Sequence, residues 1–346
     1  MRSIELFSGA GGLALGLESA DWRHVALIER NLHACETVQL NISRGHRLAK
    51  DWCLHSEDVC NVRYRDIASD ADLVAGGPPC QPFSLGGKHR AFKDKRDMFP
   101  EAVRAVRELR PRCFIFENVK GLMRQSFASY FNYIVLQLSY PDVIRRDTED
   151  WDKHLSRLER MHTGGKECSL GYRVVYRLLN AAEYGVPQNR HRVFIVGFRS
   201  DLDVEWSFPS PTHSMDRLLW DQWVTGEYWD EHRVPKGKRP GIASKHAARV
   251  RRLAQDFPSM PPFGKRCLTV RDALLGLPDP GRESGTFINH EFRGGARAYP
   301  GHTGSPLDEP SKALKAGDHG VPGGENMIAF PDGTYRYYTV RESARI

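Results

Sequence analysis

The stretch GGPPCQPFS, residues 76–84, sets one cysteine among three prolines at the end of an apolar run. A lone cysteine in a protein without disulfides is ordinarily a small buried filler. Pro79 and Pro82 flank Cys80 closely, however, and the end of a strand offers no core to fill. A thiol restrained in this way suits a covalent nucleophile once its thiolate is stabilised. Glu117 closes a second apolar run, RCFIFE, and by itself would cap a helix or pair with an arginine. On adjacent strand ends the two residues make a nucleophile and an acid facing one cleft, a more specific pattern than either alone.

A ligand is expected beside them. SGAGG follows the apolar run RSIELF, and its glycines let the backbone approach a ligand closely ahead of a helix N-terminus. A tight strand-to-helix turn is the ordinary reading of such a segment. Glu29 strengthens the functional one, because a carboxylate ending the second strand is placed to bind both hydroxyls of a ribose, implying an adenosine-containing cofactor. Asp58 in SEDV either meets an adenine amine or caps a helix.

These groups need elements to carry them. Over the first 200 residues apolar strands alternate with helical segments, which predicts an α/β fold with a doubly wound, Rossmann-like mixed sheet. RSIELF, HVALIE, ADLVAGG, RCFIFENV, RVVYRLLNA and RVFIVGFR read as strands, and LALGLESA and MFPEAVRAVREL as helices. Near residue 201 the periodic pattern gives way to Pro, Gly, Trp and charged residues, predicting a catalytic and cofactor-binding domain over 1–200 and a smaller irregular domain over 201–336. Residues 142–166 are highly charged and read as a surface insertion with some helix.

Composition narrows the classes. The 346 residues include seven cysteines without CxxC spacing, which argues against a disulfide framework and a zinc site, so no metal is expected. There is no apolar run of membrane-spanning length and no signal-peptide layout at the N-terminus, so an intracellular protein with no membrane partner is expected. The formal net charge is +7, and basic residues recur at 88–96, 188–192, 235–241 and 245–252. Four such segments favour phosphate contact over merely solvated faces. Trp206, Trp220, Trp223 and Trp229 suit base stacking, but a small-domain core is their commoner role.

In this order and on these elements, ELFSGAGG, GGPPCQPFS, ENV and QNRHR closely resemble the DNA (cytosine-5)-methyltransferase family of prokaryotic type, over residues 4–197 and again at TVRESARI (339–346). The resemblance implies the S-adenosylmethionine-dependent methyltransferase fold, S-adenosylmethionine as cofactor, and cytosine in double-stranded DNA as substrate. Phe7, Ser8, Gly9, Gly11, Gly12 and Leu13 match the cofactor loop, Glu29 the ribose ligand, and Asp58 with Val59 the adenine contacts. Gly77, Pro79 and Met98 complete the expected cofactor set. Cys80 matches the nucleophile, Glu117 the acid, and Arg190 with Arg192 the arginines of QxRxR. The implied role is the modification enzyme of a restriction-modification system, in a bacterial cytoplasm and bound to the nucleoid.

Residues 201–336 occupy the position of the family's target-recognition region, where Ala313-Leu314 stands in place of a common Thr-Leu and lacks its hydroxyl. Residues 337–346 match the start of a segment that returns to the catalytic domain and ends in a Gly-Asn motif. The expectation is that this closing segment comes from a second subunit or a longer chain. Two other readings stand beside this one. A tRNA cytosine-5 methyltransferase would carry a shorter recognition region, and a catalytically silent nucleic-acid-binding fragment would have no need of Cys80, Glu117 and Arg192 together.

Overall fold

The computed structural model of the chain describes residues 1–68, 70–79, 97–165, 168–281, 287–315 and 326–346. Cys80, the basic run 88–96 and residues 316–325 of the recognition segment lie outside the described residues. Contacts divide the chain into two units, Met1–Leu178 with Arg192–Phe208, and Leu179–His191 with Pro209–Ile346.

The first unit contains β1 (Arg2–Leu6), α1 (Gly12–Ser19), β2 (Arg23–Glu29), α2 (Leu32–Ser43), β3 (Leu54–Ser56), α3 (Tyr64–Ala68), β4 (Leu73–Gly76), α4 (Phe99–Leu109), β5 (Cys113–Val119), α5 (Ala128–Ser139), α6 (Trp151–Thr163), β6 (Tyr172–Asn180) and β8 (His191–Arg199). The two-residue strand between the last two, β7 (Gln188–Asn189), pairs within the second unit. The sheet order is β3-β2-β1-β4-β5-β8-β6. Strands β3 through β5 run parallel and β8 antiparallel to β5, giving the expected doubly wound mixed sheet.

Its central strand β4, Leu-Val-Ala-Gly, is apolar throughout because both faces are covered. All four residues of β4 are buried, as are Ile4 and Leu6 of β1. Ala26 and Ile28 pack into the main cluster with Phe99, Val106 and Ile134, whereas Leu27 packs with Ala14, Val38 and Trp52 of a second cluster. In α4, Phe99, Ala102, Val103 and Val106 recur at helical spacing and are buried, as the sequence pattern requires. Pro100 sits in the first turn of α4, and Arg110 ends it with a left-handed φ of 50°. The charged stretch 142–166 is more than a surface excursion: Leu155 and Leu158 of α6 join the main core.

The second unit is built from short elements: β9 (His213–Ser214), α7 (Met215–Trp220), α8 (Glu227–Glu231), α9 (Ser244–Asp256), β10 (Lys265–Arg266), α10 (Val270–Leu274), β11 (Ser305–Pro306), β12 (Ser311–Lys312), β13 (Met327–Ala329), β14 (Tyr335–Tyr337) and α11 (Val340–Ser343). Trp220 and Trp229 are buried in its core, the commoner role for such residues, and Trp223 packs edge-on against Trp229. Trp206 lies in the first unit, between Phe198 and Phe208. A polar cluster ties the small elements together: Arg271 donates to both oxygens of Asp308 at 2.6 and 3.1 Å, and the Tyr228 hydroxyl donates to the same carboxylate at 2.8 Å.

This grouping differs from the division read in the sequence. Residues 179–191 join the second unit because β7 pairs with β12, with Ser311 N donating to Pro187 O at 2.8 Å. Residues 337–346 also pack there: Tyr338 and Ile346 share a cluster with Val270 and Ile328, and Arg345 donates to Leu275 O at 2.7 Å. Among the described residues no helix is long and apolar enough to cross a membrane.

Candidate active site

Chain order around β1 creates a crevice. Neighbours β2 and β4 lie on its two sides, so the turns leaving β1 and β4 diverge, and ligands of such sheets bind outside the carboxyl ends at that point. The turn after β1 is tightly specified. Phe7 has a φ of 55°, Gly9 54° and Gly11 85°, all in the left-handed region. At Gly11 a Cβ would come within 2.8 Å of the Trp52 ring, so both conformation and space require glycine.

Glu29 at the end of β2 holds this turn in place. Its Oε2 accepts from Gly9 N at 2.8 Å, and Oε1 accepts from Arg30 N at 2.9 Å and Asn31 N at 2.7 Å. Asp58 caps the short turn Val59–Asn61 by accepting from Cys60 N at 3.0 Å, and it pairs with Arg30 at 2.8 Å. The Cys60 amide first, and then Arg30, hold the Asp58 carboxyl below its usual range. The capping alternative for Asp58 is therefore realised, while the residue still faces the crevice.

A cleft of about 150 Å³ opens here. Phe7, Glu29, Asp58, Val59, Gly77, Pro79 and Met98, all expected from the sequence, line it. Ser8, Gly9, Gly11, Gly12 and Leu13 are not among its lining residues; they form the turn and the start of α1 behind Phe7. Ile28, Arg30 and Glu57 were missed. Each is a chain neighbour of Glu29 or Asp58, and that adjacency was the available signal. The cleft fits an adenosine group: Phe7, Ile28, Val59 and Pro79 offer apolar walls, and the carboxylates of Glu29, Glu57 and Asp58 stand among them. The Ser8 hydroxyl, buried in the turn, has no hydrogen-bond partner among the described residues and so retains capacity for a ligand.

Beneath the turn, Glu5 is 1% exposed, and burial pushes its carboxyl up to about 8 against the opposing amide of Ala14. His24 Nε2 lies 3.1 Å from Ala14 O. Two buried titratable groups thus hold the main-chain N–H and C=O of one residue of α1, Ala14.

At the end of β5, Glu117 Oε1 lies 2.6 Å from Arg192 Nε. Its other oxygen lies over Gly77, where a Cβ would sit 3.6 Å from Oε2. The next residue, Asn118, donates to Pro78 O at 2.8 Å, and Met98 N donates to Pro79 O at 3.0 Å. Both ends of the strand-to-loop passage leading to Cys80 are therefore pinned to neighbouring elements. Cys80 itself lies outside the described residues. Arg190 belongs to the second unit, where its carbonyl accepts from Ala181 N at 3.0 Å, whereas Arg192 belongs to the first. Of the basic segments, Lys245 and Arg249 are tied to Glu309 and Asp216 at 2.6 and 2.5 Å, while Arg251 and Arg252 are exposed.

The sequence and the fold both have relatives among known proteins. Type II methyltransferase M.AquIA of Picosynechococcus sp. is 37% identical over 213 residues, 61% of this chain and 77% of that one. Type II methyltransferase M.NgoMIV of Neisseria gonorrhoeae is 37% identical over 217 residues, 63% and 58% of the two chains. Type II methyltransferase M.PspPI of Psychrobacter sp. is 34% identical over 231 residues, 66% and 47%. The chain thus spans between 47% and 77% of the length of these relatives. Among solved structures, that of the S. pombe Dnmt2 methyltransferase matches with a TM-score of 0.51 at 17% identity, covering 100% of this chain and 86% of that one, a likeness of fold. A family model described as C-5 cytosine-specific DNA methylase matches residues 1–140 and 162–260, more than half of the sequence, and the chain belongs to that family.

Proposed function

We propose that this chain transfers a methyl group to C5 of cytosine in double-stranded DNA, with S-adenosylmethionine as cofactor, as the sequence-specific modification enzyme of a restriction-modification system. Membership of the family supports the reaction class. The observation that carries the mechanism is the Glu117–Arg192 pair at 2.6 Å, beside the Gly77-Pro78-Pro79 passage that runs directly into Cys80.

Phe7, Glu29, Asp58 and Met98 would hold the adenosine part of the cofactor in the cleft. When bound, S-adenosylmethionine supplies an electrophilic methyl group. C5 of cytosine is a poor nucleophile, and a base inside a duplex cannot reach a thiol in a cleft, so the base is flipped out. The Cys80 thiolate adds to C6, forming the S–C6 bond and moving the electron pair of the 5,6 double bond toward C5 and N3. Glu117 donates a proton or hydrogen bond to N3, where negative charge would otherwise build. Arg192 keeps the Glu117 carboxyl aimed and presents a charged donor to O2 of the base. After C5 has taken the methyl group, its proton leaves to a base and the C6–S bond breaks, restoring the thiolate. Target choice is assigned to residues 201–336, which contain none of these groups.

Duplex DNA carrying 5-fluorocytosine tests the reading, because fluorine cannot leave as a cation. The expected result is an adduct with the chain that survives denaturant in the presence of cofactor and is absent in Cys80→Ser. An adduct formed by the serine variant would overturn the nucleophile. Labelled methyl groups appearing in tRNA and not in DNA would overturn the substrate class.

A further inference from the structure

Residues 141–161 fall between the two stretches that the family model matches, so this part of the chain is additional to what the family shares. It is firmly docked. Trp151, at the start of α6, packs against Tyr130 and Tyr133 of α5 with ring centroids 6.1 and 5.7 Å apart. The Tyr133 hydroxyl and His154 Nδ1 are 2.9 Å apart, and His154 Nε2 lies 2.8 Å from Val143 O. Because that carbonyl only accepts, Nε2 carries the proton and the Tyr133 hydroxyl donates to Nδ1. Arg157 closes the insertion on itself, donating to both Glu149 oxygens at 2.9 and 2.7 Å and to Ile144 O at 2.8 Å.

The ring that Trp151 holds has a second task. The Tyr130 hydroxyl donates to Asp97 Oδ2, and Asp97 Oδ1 accepts from Phe99 N, the first residue of α4, at 3.3 Å. The residue after Asp97 is Met98, whose N–H is bonded to Pro79 O at 3.0 Å. Met98 and Pro79 both line the cleft beside Glu29. A continuous series of contacts therefore runs from the added segment, through Tyr130 and Asp97, to the cleft wall.

We propose that Tyr130 is a positioning residue for the cofactor cleft, held in place by Trp151 of the added segment so that its hydroxyl fixes Asp97 and, through Asp97, the backbone bond between Met98 and Pro79. The added segment is then a brace for the cleft wall. The inference rests on the reading of this cleft as the cofactor site. A brace of this kind acts by pre-organisation: ordering Met98 before binding removes that cost from the binding step.

The test is calorimetric binding of S-adenosylmethionine to the full chain and its variants, well below their melting temperatures, with melting followed in parallel. Tyr130→Phe keeps the ring and removes only the hydroxyl; its dissociation constant should rise about tenfold, the loss expected for one hydrogen bond to a charged acceptor. Trp151→Ala should weaken binding similarly, and Trp151→Phe, which keeps an aromatic ring, should recover most of it. The Tyr130→Phe/Trp151→Ala double variant should be no weaker than the worse single one, because both act through one contact. A purely structural role would lower the melting temperature of these variants and leave affinity within twofold of the unsubstituted chain, and that result overturns the brace. If the unsubstituted chain binds no cofactor, the reading of the cleft fails and the brace falls with it; equal binding by chain and variants defeats the brace alone.

Discussion

Glu117 and Arg192 meet through an antiparallel step in an otherwise parallel neighbourhood. Val119 of β5 stands opposite Arg192 of β8, so the start of β8 is delivered beside the end of β5, and Arg192 reaches diagonally across to Glu117. A parallel strand at this place would have brought its far end instead. Both side chains keep partial solvent access, 28% for Glu117 and 21% for Arg192, so the pair contributes little to stability. Its expected contribution is to catalysis. Glu117→Gln and Arg192→Ala should each slow single-turnover methyl transfer by about 100-fold or more, with cofactor affinity and melting temperature nearly unchanged. Wild-type rates in either variant would remove the pair from the mechanism.

Glu29 supports both the turn and the cleft, since its oxygens already take three backbone amides. Glu29→Ala leaves those amides without their acceptor and removes a carboxylate from the cleft. The dissociation constant for S-adenosylmethionine should rise by about 10- to 100-fold, corresponding to about 1–3 kcal/mol. Calorimetry on the two proteins measures it, and unchanged affinity would show that Glu29 does not contact the cofactor.

Glu5 should make stability depend on pH with a recognisable sign. Its carboxyl is raised by burial to about 8, so between the unfolded value and 8 the folded chain holds a proton that the unfolded chain has lost. Stability from this group is therefore fully present at acid pH and declines as pH rises toward 8, by at most about 1.4 kcal/mol per pH unit. His24, lowered mainly by its burial, works in the opposite direction as pH falls below its ordinary value. Comparing urea midpoints of wild type and Glu5→Gln from pH 5.5 to 8.5 isolates the carboxyl. The difference should shift in favour of the variant as pH rises; a constant difference would mean that Glu5 does not titrate in this window.

Gly76 of β4 stands opposite Leu6 of β1. A Cβ there would lie 2.4 Å from Leu6 O, a backbone atom of the neighbouring strand that cannot turn aside. Gly76→Ala should therefore force the strands apart at the mouth of the crevice and cost about 2–4 kcal/mol, with cofactor binding weakened as well. Denaturant unfolding that showed wild-type stability would mean that the strands have more freedom than their spacing indicates.

Much of the first unit was legible in the sequence because its signals are local. Short, largely apolar runs mark β1, β2, β4 and β5, with glycines closing those of β1 and β4, and apolar residues at helical spacing mark α4; these depend on periodicity and turn chemistry within a dozen residues. Residues ending those runs, Phe7, Glu29, Gly77 and Pro79, consequently arrive at one crevice, since parallel strands present all their carboxyl ends on one side. Strand β3, Leu54–Ser56, escaped because three residues carry no periodic signal. Long-range partnership was not legible. Only the antiparallel entry of β8 between β5 and β6 decides that Arg192 meets Glu117. Only the ladder of β7 with β12 decides that residues 179–191 join the second unit. A charged segment that read as surface was drawn inward at Trp151, His154, Leu155 and Leu158, because packing against α5 and the main core outweighs a mean composition that looks solvated. Sequence alone determines which residues can form an element and end it, since those preferences are set by near neighbours; which elements then meet is decided by burial and hydrogen bonding summed over the folded chain, and no short window of sequence contains that sum.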